Sequence, residues 1–238
     1  MTEAMIGLRT MALPRSRMAV VGVGGAGCNI VSGVYESAMP VNTIAINTDE
    51  VALRSVHADR KVCIRDGDVC GGVRGDAVAG VLCAQAHEDS IMRSLEGNDV
   101  VFIVAGLGGG TGTGAVSVIA GLCDRLDILT FAIAVEPFSF EGSRCGLAAE
   151  GMKVLRSVCS HVSTVSNDLG IECMPDSTMD EVLAGINASV CRHISELADR
   201  IPQVLEEMLG AKTDDPGHGG SIGADSAFEI RPMAIPQF

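Results

Sequence analysis

Two apolar, β-branched runs in this chain each dissolve into glycine where a strand would have to become a helix, and this pairing restricts the possible folds most. The first, MAVVGV at 18–23, ends in Gly22-Val23-Gly24-Gly25-Ala26-Gly27, formally a G-x-G-x-x-G turn. The second, DVVFIVA at 99–105, runs into Gly106-Leu107-Gly108-Gly109-Gly110-Thr111-Gly112-Thr113-Gly114. Glycine costs roughly 1 kcal/mol relative to alanine in a helix but lets backbone amides approach closely. Clustering it at helix entries makes sense where bare amides and a helix N-terminus must meet an anion. Thr111 and Thr113 add hydroxyl donors for phosphate oxygens. No Gly-Lys-Ser/Thr follows either turn, which excludes a P-loop.

Four further runs read as strands: NTIAIN (42–47), RKVCI (60–64), DILTFAIAV (127–135) and HVSTVS (161–166). Between the strands, 26–37, 76–96, 113–125 and 142–159 have helical periodicity, the last with Leu147, Met152, Leu155 and Val158 along one stripe. Repeated strand-helix-strand order predicts a mostly parallel sheet with helices on both faces. A long helix over 179–201 sets Val182, Ile186, Val190, Ile194, Leu197 and Ile201 on one face for packing against the sheet. Pro202 kinks or ends it, and QVLEEMLG reads as a short helical continuation closed by Gly210. The expectation is one Rossmann-like, three-layer α/β domain at 17–210, with a six-stranded sheet. A loosely ordered segment (1–16) precedes it and a flexible Gly/Pro/Asp-rich tail (211–238) follows.

Composition excludes several functions. The 17 Lys and Arg against 30 Asp and Glu leave a net charge of -13, so a nucleic-acid surface would oppose the field of the whole molecule. Aromatic content of 3%, no Trp and the single Tyr35 argue against base-stacking platforms and membrane-interface belts. The apolar runs are too short for direct membrane insertion. Nine cysteines without a Cys-x-x-Cys pair read as reduced thiols of a cytoplasmic protein, and the five histidines show no metal-binding spacing. Asp49, at the end of the second strand, stands where a dinucleotide enzyme keeps its ribose-binding acid, so an NAD(P)-dependent oxidoreductase is a competing reading.

These motifs together resemble the tubulin and FtsZ superfamily. Residues Gly108 to Gly114 are identical to that family's glycine signature. Gly22 to Asn29 resembles its first nucleotide loop, Asn47-Thr48-Asp49 its second and Cys70-Gly71-Gly72 its third. Pro137 to Gly142 matches the loop near the ribose, and Ser166-Asn167-Asp168 the guanine-side loop. The similarity runs in order from about residue 17 to 201 and fits the FtsZ branch better than tubulin. It implies that GTP or GDP, with Mg²⁺, lies on Gly24, Gly25, Ala26, Cys28, Asn29, Asn47, Asp49, Gly71 and Gly72. The same phosphates would meet Gly108, Gly109, Gly110, Thr111, Gly112 and Thr113. Glu141 would accept from ribose hydroxyls, Arg144 would stand near the phosphates, and Asn167 and Asn187 would read guanine.

The chain departs from the family at named places. The family's Arg lies four residues after the loop Glu, whereas here that position is Cys145 and Arg144 lies three after Glu141. The long helix has Val182, Leu183 and Ala188 where the family offers an aromatic and an Asp. The family's water-orienting pattern Asn-x-Asp-x-x-Asp does not follow residue 201, where Asp214-Asp215 is the close acid pair. The expected function is therefore guanine-nucleotide binding with slow or partner-dependent hydrolysis. Association would be as a homodimer or with a full-length FtsZ-like protein. A self-sufficient polymerising GTPase is an alternative.

Overall fold

Along the first strand, Met18 and Val20 belong to one hydrophobic core, whereas Ala19, Val21 and Val23 belong to another. A strand buried on both faces has to be apolar at every position, which is why this run reads as continuous rather than alternating. The computed structural model describes residues 17–65, 72–73 and 75–211, with side chains as far as Pro202. Its strands are β1 (Met18–Val23), β2 (Asn42–Asn47), β3 (Arg60–Cys63), β4 (Val100–Gly106), β5 (Leu129–Glu136) and β6 (His161–Ser166). They form one sheet in the order β3-β2-β1-β4-β5-β6, with every neighbouring pair parallel.

The helices are α1 (Gly24–Glu36), α2 (Glu50–Ser55), α3 (Ala77–Ala86), α4 (Glu88–Leu95), α5 (Gly110–Arg125), α6 (Ser143–Val158), α7 (Asn167–Cys173) and α8 (Met179–Ala211). One core joins the sheet to α1 and α8, and the other joins it to α3, α4, α5 and α6. This is the expected three-layer architecture. Val182, Ile186, Val190, Ile194, Leu197 and Ile201 of α8 are all buried, as their spacing predicts.

Four local expectations need correction. The segment 76–96 is two helices, separated at His87 (φ -116, ψ 19). α5 begins at Gly110, inside the glycine run, rather than at 113. α6 buries Ala148, Gly151 and Leu155, while Leu147 and Val158 of the expected stripe are exposed. A Cβ on Gly151 would lie 2.3 Å from Thr113 Cγ2, so α6 and α5 approach too closely for large side chains between them. α8 continues through Pro202 to Ala211, so Gly210 lies inside the helix rather than closing it. The expected segment 1–16 lies outside the described residues, as do Cys70, Gly71 and, with Asp214 and Asp215, residues 212–238 of the expected tail 211–238, whose first residue, Ala211, ends α8.

The topology positions the site. β1 and β4 are neighbours, with Val23 beside Ala105, so both glycine turns leave adjacent strands at the same carboxyl edge. The connection order reverses between these two strands, and open parallel sheets bind ligands at that switch point.

Candidate functional site

Four helices near this edge begin in two different ways. Asp49 caps α2 by accepting from Val51 N and Ala52 N, and Asp76 caps α3 by accepting from Val78 N and Ala79 N. α1 and α5 have Val23 and Gly109 at their N-caps, neither makes a side-chain cap, and neither has an acid in its first turn. The first amides of α1 and α5 have no intrahelical acceptor, so two positive helix ends remain uncommitted side by side. The turns touch backbone to backbone: a Cβ added at Gly24 (φ +72) would lie 2.9 Å from Gly112 N.

A cavity of about 540 Å³ opens over these turns, lined there by Gly25, Ala26, Gly109, Gly110, Thr111 and Gly112. The loop after β5 and the start of α6 supply Phe138, Phe140, Glu141 and Arg144, and Asn167, Met179 and Leu183 line it from α7 and α8. This volume is typical of a small-ligand site. The glycines divide into two sets. A Cβ at Gly25 or Gly109 would meet nothing within 4 Å. At Gly110, Gly112 and Gly114 it would lie 2.8 Å from Asp76 N, 2.2 Å from Gly106 O and 2.1 Å from Ala77 O. The second set is required by backbone packing whatever the cavity holds.

The polar side chains are organised by local hydrogen bonds. Glu141 Oε1 accepts from Phe138 N at 3.0 Å, and its Oε2 accepts from Arg144 Nη1 at 2.6 Å. Thr111 and Thr48 share a hydroxyl-hydroxyl hydrogen bond of 2.6 Å. Thr113 Oγ1 accepts from Gly108 N at 2.8 Å and so holds the glycine loop (Gly108 φ +88) from behind. Asn167 is 9% exposed and lines the cavity, yet its Oδ1 has no hydrogen-bond partner. A buried amide oxygen left unpaired costs about 1–3 kcal/mol, a cost that a ligand donor would remove.

The remaining expected site residues stand beside or behind the cleft. The buried Cys28 thiol donates to Gly22 O and Ile46 O, and burial pushes its pKa up to about 12. Asn29 is exposed on α1, and Asn47 Oδ1 accepts from Asp49 N at 3.3 Å. A Cβ at Gly72 (φ +69) would lie 3.0 Å from Thr48 Oγ1. Asn187 is half-buried, one turn of α8 beyond Leu183. The resemblance set Pro137 to Gly142 near the ribose and Leu183 at the family's aromatic position, and both Phe140 of that loop and Leu183 line the cavity; sequence reasoning missed Met179 beside them.

An open, wholly parallel α/β sheet with two uncapped glycine turns at its switch point defines a doubly wound domain of the nucleotide-binding type. A model of the Tubulin/FtsZ family, GTPase domain, matches residues 17–174, and the chain belongs to that family. It is 38% identical over 191 residues to the cell division protein FtsZ of Methanothermobacter thermautotrophicus, covering 79% of this chain and 50% of that protein. It is 40% identical over 164 residues to the cell division protein FtsZ 1 of Pyrococcus horikoshii, covering 68% and 44%. An empty FtsZ dimer from M. jannaschii superposes with a TM-score of 0.75 at 29% identity, over 79% of this chain and 56% of that one. CetZ2 from Haloferax volcanii, solved as a GTPγS-bound protofilament, gives 0.71 at 26% identity, over 78% and 59%. The chain thus spans about half the length of the curated relatives it matches.

Proposed function

We propose that this chain binds GTP or GDP in the switch-point cleft and uses the bound nucleotide to govern association, in a cytoskeletal or cell-division role. The observation that carries this reading is the convergence of two uncapped helix N-termini, with Gly25 and Gly109 open above them, on one cavity. Backbone amides can hold phosphates in a protein of net charge -13 without any cluster of basic side chains. The unpaired Asn167 Oδ1 suits a donor on the guanine edge, and Glu141 suits the ribose hydroxyls. Arg144 is ion-paired with Glu141 and would have to turn from it to meet the phosphates, and Asn187 would reach the base only from the next turn of α8. Among the described residues no group of three or more His, Cys, Asp and Glu could hold a metal, so Mg²⁺ would enter with the phosphates and neutralise them.

Binding and turnover are separate matters. Glu141 is the carboxylate among the described lining residues, and this reading commits it to the ribose hydroxyls. Positioning water dominates phosphoryl-transfer catalysis, so hydrolysis should be slow or dependent on a protein that supplies the missing group. Association, as distinct from turnover, would be with a second copy, meeting across a twofold axis, or with a full-length FtsZ-like protein. No helix among the described residues is long and apolar enough to cross a membrane. The oxidoreductase reading loses its ribose acid, because the Asp49 carboxylate caps α2 and does not line the cavity. Calorimetry with GDP and Mg²⁺, together with identification of the nucleotide released on denaturing fresh protein, tests the proposal. Absence of guanine nucleotide in both experiments would overturn it.

A further inference from the structure

The sheet ends in two edges of opposite character. β3 is four residues long and opens with Arg60 and Lys61, both exposed. β6 is six residues long, HVSTVS, and carries no Asp, Glu, Lys, Arg or Pro. Short edge strands and edge lysines keep other chains from adding to a sheet, so β3 is guarded and β6 is not. Among the described residues β6 pairs with β5 alone, in an unbroken register from Phe131 beside His161 to Glu136 beside Ser166. Its outer side therefore presents a regular row of backbone donors and acceptors. Ser163 lies on the face of the strand that Val165 turns into the first core. It is 6% exposed, and its Oγ has no hydrogen-bond partner.

We propose that the outer edge of β6 pairs with β6 of a second copy of this chain, antiparallel across a twofold axis at Ser163. The two sheets would continue as one, ending on both sides in the guarded β3. A twofold axis normal to the sheet sends each face onto itself, so opposed residues must share a face and the axis must fall on a residue rather than between two. Centred at Ser163, it sets that residue opposite its own copy, His161 opposite Val165 and Val162 opposite Thr164. Directly opposed Cβ atoms stand about 4.5–5.5 Å apart, so one serine hydroxyl can turn and donate to the other, and the register supplies the partner that this oxygen lacks. The uncharged strand also lets two chains of net charge -13 meet without like charges at the seam. The chain's own continuation past Ala211 suits this edge less. α5 and α6 make their crossovers through the layer of the second core, whereas α8 lies in the layer of the first. A parallel strand added beyond β6 after α8 would thus form a crossover of the opposite, left hand, which sheets avoid. None of residues 161–166 lines the cleft, so the contact stands apart from nucleotide binding.

Sedimentation velocity on the full chain without nucleotide should show a species of twice the monomer mass, in an amount that GDP leaves unchanged. Thr164 is half-buried on the edge strand, and Thr164→Lys should raise the dimer dissociation constant at least about tenfold. The thermal transition of the dilute variant should stay close to that of the dilute parent. Ser163→Cys keeps the size of the side chain and places two thiols opposite each other at the axis. Treated with diamide, it should give a disulfide-linked dimer in far higher yield than the parent with its nine cysteines. A parent protein that stays monomeric up to submillimolar concentration would overturn the proposal. So would a dimer that Thr164→Lys leaves as tight as before, or equal cross-linking in Ser163→Cys and parent. A dimer that forms only with GDP and is lost in Gly109→Val would put the contact on the nucleotide faces and overturn it as well.

Discussion

Thr48 Oγ1 and Thr111 Oγ1 share a 2.6 Å hydrogen bond with both side chains buried, tying the loop after β2 to the first turn of α5. The glycine turn is therefore braced from the second strand as well as from its own. One hydroxyl must donate and the other accept, so deleting either leaves its partner without a match in a buried place. Thr111→Val should cost about 1–3 kcal/mol in urea unfolding, and adding Thr48→Val should cost less than the sum of the two single changes. Strict additivity of the two would mean that the contact contributes nothing to stability.

The two sets of glycines predict opposite phenotypes for neighbouring substitutions. Gly109 has a backbone any residue can adopt (φ -97, ψ 158), and its Cβ direction is open. Gly109→Val should keep the fold and fill the space above the amides, lowering GDP affinity at least about tenfold, or about 1.4 kcal/mol. Gly110→Val would drive its side chain into Asp76 N and the Val73 side chain, and should destabilise the protein by about 1–3 kcal/mol or more. Thermal unfolding and calorimetry on the pair separate ligand contact from packing. A Gly109→Val protein that folds and binds GDP normally would remove the amide cradle from the account.

The same contrast explains what the sequence made legible. The six strands are visible because burial on both faces leaves uninterrupted Val, Ile and Ala, as in β1, β4 and β5. The α8 face is visible because Val182 to Ile201 recur every three or four residues over many turns. The inward face of α6 is not visible, since close approach to α5 selects Ala148 and Gly151 and leaves Leu147, Val154 and Val158 exposed. The break at His87 carries neither glycine nor proline, only the acidic first turn of Glu88 and Asp89 in the next helix. The glycine run announces an anion turn, but nothing in its composition separates Gly109 from Gly110. That distinction depends on α3 crossing α5 within contact distance of the backbone, with Gly80 as well as Gly110 and Gly114 at the crossing.

Asn167 should show stability and binding moving in different directions. Its buried Oδ1 lacks a partner in the ligand-free chain, so Asn167→Ala removes an unmet acceptor at the cost of a small void. Unfolding free energy should be unchanged or raised by up to about 1 kcal/mol, while GDP affinity falls and pyrophosphate affinity does not. A destabilised variant with unchanged GDP affinity would make Asn167 a purely structural residue.

Buried thiols give the chain an alkaline limit. Burial pushes Cys28 and Cys123 from an ordinary 9.0 up to about 12. In the unfolded chain these thiols lose their protons near 9, whereas in the folded chain they keep them until about 12. Between those values the unfolded state binds fewer protons, so stability falls as pH rises, and below 9 their contribution is fully present. Each thiol should add a slope of up to about 1.4 kcal/mol per pH unit within that window. Urea midpoints measured from pH 8 upward should fall beyond pH 9, less steeply in Cys28→Ala. A flat profile in the parent protein would show that these thiols ionise alike in both states.

The last prediction concerns turnover. Glu141 is committed to the ribose in this reading, and the cleft offers no second carboxylate among its described lining residues to orient an attacking water. Steady-state GTP hydrolysis by the chain alone should therefore stay on the order of 10⁻³ s⁻¹ or below, the scale of a GTPase without its activating partner. The rate per molecule should also be independent of protein concentration. Glu141→Gln should weaken nucleotide binding, because the ion pair with Arg144 is lost, without slowing turnover at saturating GTP. If Glu141→Gln instead abolished a brisk, concentration-independent hydrolysis, Glu141 would be orienting the water itself. A turnover that climbed steeply with concentration would mean that a second copy delivers the missing group, and the chain would be a self-activating GTPase after all.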